Sequence, residues 1–479
     1  LKVKWFMIVL LVSTLFMGSF SPKAIDAQSA IAVVDPELTK ALVSNAGAPV
    51  QAIITFKGDA APTESDLQLL KQVHVNTGVV LKALPMAGAL LTADQVNTLA
   101  ASPEVRSIYL NKKLEYYNYD STALTGVDKV YADAAMTRQN GGLPVSGKGV
   151  TVVVNDSGID GTHKDIQYGK NVIQNATGTT NLHALSELLP ITYMENLPNT
   201  DTASGHGTHV AGIVGGTGAM SNGKYQGVAP GAHLVGYGSG AGIFILDALG
   251  GFDYSLVHQM EYKIRVITNS WGATGDFDPE DPINIASKKA FDRGIVVTFA
   301  AGNEGPGENT LNAYAKAPWV IAVAAGDKQG KLADFSSRGT KDNQGAFTMD
   351  GQSWTWEDKP TITAPGVDVI STRVVAPLPV LGAQDDAQHI EPAYLPFYTT
   401  MSGTSMATPH VAGIVALMLD ANPALSPGQV KHILEKTATP MPGRQAWEVG
   451  AGYVNAYAAV DAAFQEIKSA QMLNLLRHE

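Results

Sequence analysis

GTSMATPHVAGIVALML, residues 403–419, is the stretch on which the reading of this chain turns. Ser405 sits among small residues and is followed at once by an apolar run, the pattern of a serine at a helix N-terminus. Unpaired backbone N–H groups and a partial positive charge collect at such a terminus. Both stabilise the oxyanion that forms when a serine attacks a carbonyl. Pro409 falls in the first turns, where little intrahelical bonding is lost. Alone, a serine in this position is an ordinary helix cap. Its chemistry depends on partners elsewhere in the chain.

Those partners lie upstream. GVTVVVNDSGID (149–160) is a β-branched apolar run ending at Asp156, the pattern of a buried parallel strand with a carboxylate at its tip. GHGTHVAGIVGG (205–216) puts His206 between two glycines at a second helix start. AAGNEG (300–305) follows the run IVVTF and holds Asn303 in a glycine-flanked turn. Neutral His can take a hydroxyl proton, a buried Asp can fix its tautomer, and Asn can donate to an oxyanion. Asp156 alone reads as a turn residue and His206 alone as a core histidine. Four such groups at strand ends and helix starts are better explained together.

NDSGID, GHGTHVAG, AAGNEG and GTSMATPHVAG, in this order, resemble the subtilisin-like (subtilase) serine endopeptidases. GVAPGAHL (227–234), DFSSRG (334–339) and TAPGVDVIST (363–372) extend the resemblance over roughly 145–465. The order Asp, His, Ser matches that family and not the α/β-hydrolases. The resemblance implies a triad of Asp156, His206 and Ser405, with Asn303 and the Ser405 N–H as the oxyanion hole. It implies substrate-binding edges at Gly238, Ser239 and Gly240, at Ser270, Trp271 and Gly272, and at Ala301 and Gly302. Trp271 stands where the family has a leucine, so its side-chain pockets do not carry over. An acidic run follows it at Asp276, Asp278, Glu280 and Asp281.

The expected fold class is α/β, a parallel sheet flanked by helices, preceded by a small ferredoxin-like α+β propeptide. Strands are predicted at 150–155, 232–237, 265–270, 295–301, 319–325 and 361–363, alternating with helices at 206–216, 245–262, 282–293, 405–420, 427–437 and 454–466. Residues 50–117 read as β-α-β-β-α-β, with Thr63–Asp66 and Thr92–Gln95 as capping boxes. By resemblance this is an inhibitory propeptide whose tail near 114–123 is cut by the enzyme itself. The chain then divides into a signal peptide (1–27), an N-terminal helical segment (28–48), the propeptide domain (49–118), a processing linker (119–144), the catalytic domain (145–467) and a tail (468–479). Lys2 and Lys4 before the run Trp5–Phe20 carry the signal-peptide reading and an extracellular destination.

Composition excludes several alternatives. The 479 residues hold no cysteine, so disulfides, thiolate metal sites and cysteine nucleophiles are out. A net charge of −11 without a basic stripe argues against nucleic acid. No stable membrane anchor is expected. The partners implied are polypeptide substrates and the chain's own propeptide. No cofactor is required and no metal site is assigned. A structural calcium ion is left open at Asp165, because the loop TGAMSNGKYQG (217–227) departs from the calcium-binding pattern of relatives. His163, His209, His233 and His410 read as structural. Long inserts at 174–203, 340–359 and 374–398 set this chain apart, and the last is placed to shape the cleft. A non-catalytic peptide-binding relative, and an acyl transferase or peptide ligase using the same triad, remain open.

Overall fold

A computed structural model describes residues 32–45, 47–58, 62–80, 85–110, 121–179, 191–374 and 383–476. The chain divides into two units between Leu114 and Glu115. The expected signal peptide and residues 111–120 of the expected processing tail lie outside the described residues.

In the smaller unit, strand Val50–Phe56 alternates sides, and Ala52, Ile54 and Phe56 join Leu70, Val96 and Leu99 in one core. Helices Glu64–Gln72 and Ala93–Ala100 start at Thr63 and Thr92, each closing a reciprocal capping box with Asp66 or Gln95. The strand order is 33–34, 105–110, 50–56, 86–91, 79–80. Its last three pairings are antiparallel and its first is parallel. This is the β-α-β-β-α-β plan with one short strand added at its edge.

The larger unit is organised by an eight-stranded sheet. Its strands are β1 (Thr151–Asp156), β2 (Val172–Thr179), β3 (Thr192–Met194), β4 (His233–Gly238), β5 (Ile264–Asn269), β6 (Val296–Ala300), β7 (Ile321–Gly326) and β8 (Ile362–Pro365). The order is β8-β7-β6-β5-β1-β4-β2-β3, and only β3 runs antiparallel to its neighbour. The principal helices are α1 (His206–Gly215), α2 (Ile245–Val257), α3 (Pro282–Asp292), α4 (Thr404–Ala421), α5 (Pro427–Thr437) and α6 (Ala456–Leu476).

Strand β1 shows how the sheet aims its side chains. All six of its residues are buried. Val152 and Val154 pack with Val210 and Val214 of α1 and Val411 and Val415 of α4. Val153 faces the other way, toward Ala248 and Phe252 of α2. The same alternation sends Asp156 to the α1 and α4 face. Asn155 goes to the opposite face, where its Nδ2 donates to the Ala248 carbonyl and to Asn269 Oδ1, both at 3.1 Å.

Several expectations are corrected. Residues 121–144 are not a linker: Ser121–Thr125, Val127–Ala132 and Ala134–Gln139 are short helices, and Val127, Val130 and Met136 enter the main core. Helices of five or six residues are too short to show a periodic pattern. The expected tail is helical as far as Leu476, since α6 simply continues. Residues from 174 do not begin an insert, because β2 pairs with β4 inside the sheet. The 340–359 segment is a hairpin, Gln344–Met349 with Gln352–Glu357, turning at Asp350-Gly351. Both turn residues have positive φ, 52° and 75°, as a two-residue type I′ turn requires. That Asp-Gly signal, flanked by alternating aromatics, is a hairpin signature in the sequence.

The 374–398 segment, of which 375–382 lie outside the described residues, ends in strand Tyr398–Met401 paired antiparallel with Val369–Thr372. Asp386, fully buried, secures it. Its carboxylate accepts from Thr400 N at 2.7 Å and Thr399 Oγ1 at 3.0 Å, and pairs with Arg373 Nη1 at 3.2 Å. Asp386→Ala strips the buried Thr400 N–H and Thr399 hydroxyl of an acceptor and takes the charge partner from Arg373. The expected cost is on the order of 3 kcal/mol, read as a lower midpoint in thermal or urea unfolding.

Candidate active site

The site begins where β1 ends. His206 Nδ1 lies 2.7 Å from Asp156 Oδ1, which also accepts from Ser157 N at 2.7 Å. Asp156 is buried, while His206 keeps 32 % of its side chain exposed and open to a substrate. The protein crowding the imidazole disfavours its charged form. The charge and hydrogen bond of Asp156, with a smaller contribution from Asp201, outweigh that and leave the His206 pKa raised. The close approach of α1 to the strand end requires Gly207, because a β-carbon there would come 2.2 Å from the Gly158 carbonyl oxygen.

Ser405 is the second residue of α4. Apart from Ser405 and Asp420, this helix is buried on every side, which is why its sequence is apolar all round. Pro409 is not free of consequence, contrary to the expectation from its early position. It has no N–H to give the carbonyl of Ser405, four residues earlier. Ser270 Oγ supplies that missing bond, donating to the Ser405 carbonyl at 2.9 Å. The Ser405 hydroxyl in turn donates to the Ser270 carbonyl at 3.0 Å. Its hydrogen bond therefore goes to Ser270 and not to His206.

Asn303 follows β6 in the turn that the sequence indicated. Its Oδ1 accepts from Thr404 N at 2.9 Å and from Thr404 Oγ1 at 3.0 Å. Because a backbone N–H can only donate, this contact fixes the amide orientation and turns Nδ2 the other way. Asn303 Nδ2 and Ser405 N then converge: a β-carbon placed on Gly403 would lie 3.5 Å from the first and 3.6 Å from the second. Thr404 was not singled out from sequence. A threonine beside the central serine is the only signal it offered.

The remaining predicted residues separate into two groups. Gly240, Ser270 and Trp271 line a small cleft of about 130 Å³ with Asp156, His206 and Ile243. Gly238, Ser239, Gly272, Ala301 and Gly302 do not line it. The Ser239 amide donates to the Asp156 carbonyl at 2.8 Å, and the Gly302 amide donates to Thr404 Oγ1 at 3.2 Å. A β-carbon on Gly272 would collide with Asn312. Trp271 both packs and lines: its Nε1 donates to the Asn155 carbonyl at 2.7 Å, and its ring stands edge-on to Phe299. In the acidic run, Asp281 caps α3 through Ile283 N at 2.8 Å and Asp278 accepts from Glu280 N at 2.9 Å.

Of the four histidines read as structural, three brace the scaffold, while His233 is exposed at the start of β4. His163 bonds the Phe397 carbonyl, His209 the Val369 and Thr399 carbonyls, and His410 the Thr125 hydroxyl. Burial pushes His209 and His410 each down to about 3, so both are neutral. Asp165 does not fit a calcium ion. Its Oδ1 accepts from Met220 N at 2.9 Å and its Oδ2 from the Tyr398 hydroxyl at 2.6 Å. Burial and the Asp165 charge raise the Tyr398 phenol, which stays protonated and donates to the carboxylate, so both Asp165 oxygens are engaged by protein donors. Among the described residues, no group of three His, Cys, Asp or Glu could hold a metal.

A family model for the subtilase family matches residues 147–454. The chain belongs to the subtilase family. It is a serine protease that hydrolyses peptide bonds. Serine protease AprX of Bacillus subtilis (strain 168) is 31 % identical over 370 residues, 75 % of each chain. Subtilisin E of the same strain is 31 % identical over 387 residues, 79 % of this chain and 81 % of that protein. M-protease of Shouchella clausii (strain KSM-K16) is 30 % identical over 396 residues, 81 % and 83 % respectively. Among solved structures, sphericase superposes with a TM-score of 0.51 at 26 % identity, covering 69 % of this chain and 97 % of its own. This subtilase thus shares the sheet-and-helix scaffold of its relatives.

The reciprocal Ser270 and Ser405 contacts generate a test. Ser270→Ala leaves the Ser405 carbonyl without a donor at the start of α4. The expected result is a roughly fivefold loss of kcat, the equivalent of ~1 kcal/mol, with KM little changed. Steady-state kinetics on a short peptide would check it.

Proposed function

We propose that this subtilase is a secreted endopeptidase made as an autoprocessed precursor. In this reading Ser405 is the nucleophile, His206 its general base, and Asp156 the carboxylate that orients His206. Asn303 Nδ2 and the Ser405 N–H bind the oxyanion. The observation that carries it is the 2.7 Å contact between buried Asp156 and half-open His206, in a chain whose Asn303 and Ser405 donors converge beside Gly403.

The reaction follows from these positions. An extended peptide lies along the edge formed by Gly240, Ser270 and Trp271. Ser405 Oγ turns from the Ser270 carbonyl, passes its proton to neutral His206 and attacks the scissile carbonyl. Asp156 keeps the Nδ1 proton on His206 and stabilises the imidazolium. His206 then protonates the leaving amine, and water opens the acyl-enzyme by the reverse path.

The smaller unit serves, in this reading, as the intramolecular inhibitor, with its tail as the first substrate. Its ferredoxin-like topology ahead of a subtilase core supports that role. Lys2 and Lys4 before the apolar run Trp5–Phe20 support export. No described helix is long and apolar enough to cross a membrane.

Ser405→Ala is expected to abolish peptide cleavage and leave the purified precursor uncut, read by N-terminal and mass analysis of the product. A pure Ser405→Ala chain that still processes itself would refute the assignment. Asn303→Ala is expected to lower kcat by about 10²–10³ with KM little changed. The base must be neutral, and His206 lies above its ordinary 6.5. The kcat/KM of the enzyme is therefore expected to rise with pH through that raised value and to be lost below it, as a pH–rate profile would show.

A further inference from the structure

Asp201 is a second buried carboxylate beside His206, and nothing in the triad chemistry uses it. It is only 1 % exposed. A charge in that position is tolerated only with full hydrogen bonding. Asp201 Oδ1 accepts from Gly205 N at 2.8 Å and from Ser157 Oγ at 3.1 Å. Its Oδ2 accepts from Thr208 N at 3.0 Å and Thr208 Oγ1 at 2.7 Å.

These four bonds join two elements. Helix α1 starts after Gly205, whose φ of +88° is left-handed and which has no side chain to cap the helix. Asp201 caps it from outside, satisfying Thr208 N and setting a negative charge at the positive end of the helix. Ser157 extends the link. Its hydroxyl donates to Asp201 and also accepts from Gly207 N at 2.8 Å. Ser157 directly follows Asp156, and Gly207 directly follows His206. The two residues that must meet at 2.7 Å are therefore each one bond along the chain from this bridge.

We propose that Asp201 is a positioning residue for catalysis: its carboxylate, through Ser157 and the α1 N-terminus, holds His206 on Asp156 and sets a second negative charge at the start of the helix that carries His206. This rests on His206 acting as the base. The titratable groups that act on that imidazole are Asp156 from β1, in contact with it, Asp201 from the segment before α1, and His209 on α1 itself, which is neutral. The Asp160 carboxylate nearby is turned to the Thr162 N–H and hydroxyl.

The test compares Asp201→Asn, Ser157→Ala and Ser405→Ala in the full chain, with active-site titration to count competent enzyme and kinetics on a short peptide across pH. Asp201→Asn keeps the shape but loses the charge and one set of acceptors. It is expected to cut kcat roughly 10–100-fold with KM unchanged, and to move the acid limb of kcat/KM to lower pH. Ser157→Ala keeps the charge and breaks the bridge. It is expected to lower kcat a few-fold with the acid limb unmoved. A folded Asp201→Asn enzyme with native kcat and an unmoved acid limb would overturn the proposal. If Asp201→Asn does not fold, native kcat in Ser157→Ala would overturn it. Residual cleavage by Ser405→Ala would instead overturn the triad reading beneath it.

Discussion

The larger unit depends on one burial constraint: helix Thr404–Ala421 is apolar around almost its whole circumference and must be wrapped on every side. The sheet covers one side of it and α1 and α6 cover others, while Thr125 of the short helices at 121–139 reaches His410. Only Ser405 in the first turn and Asp420 in the last escape full burial. Ser405 is thus backed by a rigid, fully packed helix while its own hydroxyl stays accessible. The same burial explains why Pro409 is tolerated. The carbonyl it strands lies next to Ser270, which supplies a donor.

Electrostatics then decides what that surface turn can do. Alternation along β1 drives a carboxylate into the same face as α1 and α4, out of water. An unpaired charge there would be costly, and His206 relieves it at 2.7 Å. The imidazole keeps partial exposure, so it gains the field of the carboxylate without losing access to substrate. Nearby histidines with no carboxylate partner, His209 and His410, are held neutral by burial. Identical side chains thus take opposite roles according to their surroundings.

The inserted segments add ties that the central scaffold lacks. Tyr398 places a protonated phenol on Asp165 and lies 3.0 Å from Ser221 Oγ, joining the segment before α4 to the loop after α1. The hairpin at 344–357 lays Phe347 and Trp354 against Trp319 and Phe291 near α3. Its base is fastened by the buried pair of Lys316 and Asp358, 3.3 Å apart.

The sequence by itself determined the alternation of strands and helices, the order of Asp156, His206, Asn303 and Ser405, and the two capping boxes opened by Thr63 and Thr92. These are local patterns, set by periodicity and by residues a few positions apart. What only the tertiary structure decided is contact between distant segments. Ser157 donates a hydrogen bond to Asp201, 44 positions away, only because β1 and α1 meet end to end. Ser270, just past the end of β5, answers Pro409 of α4, and Tyr398 meets Asp165 across 233 positions. The helices of 121–139 show no periodic signal because their stability comes from the core they cover. A buried polar group takes whichever partner the fold brings to it, and no local pattern records that partner.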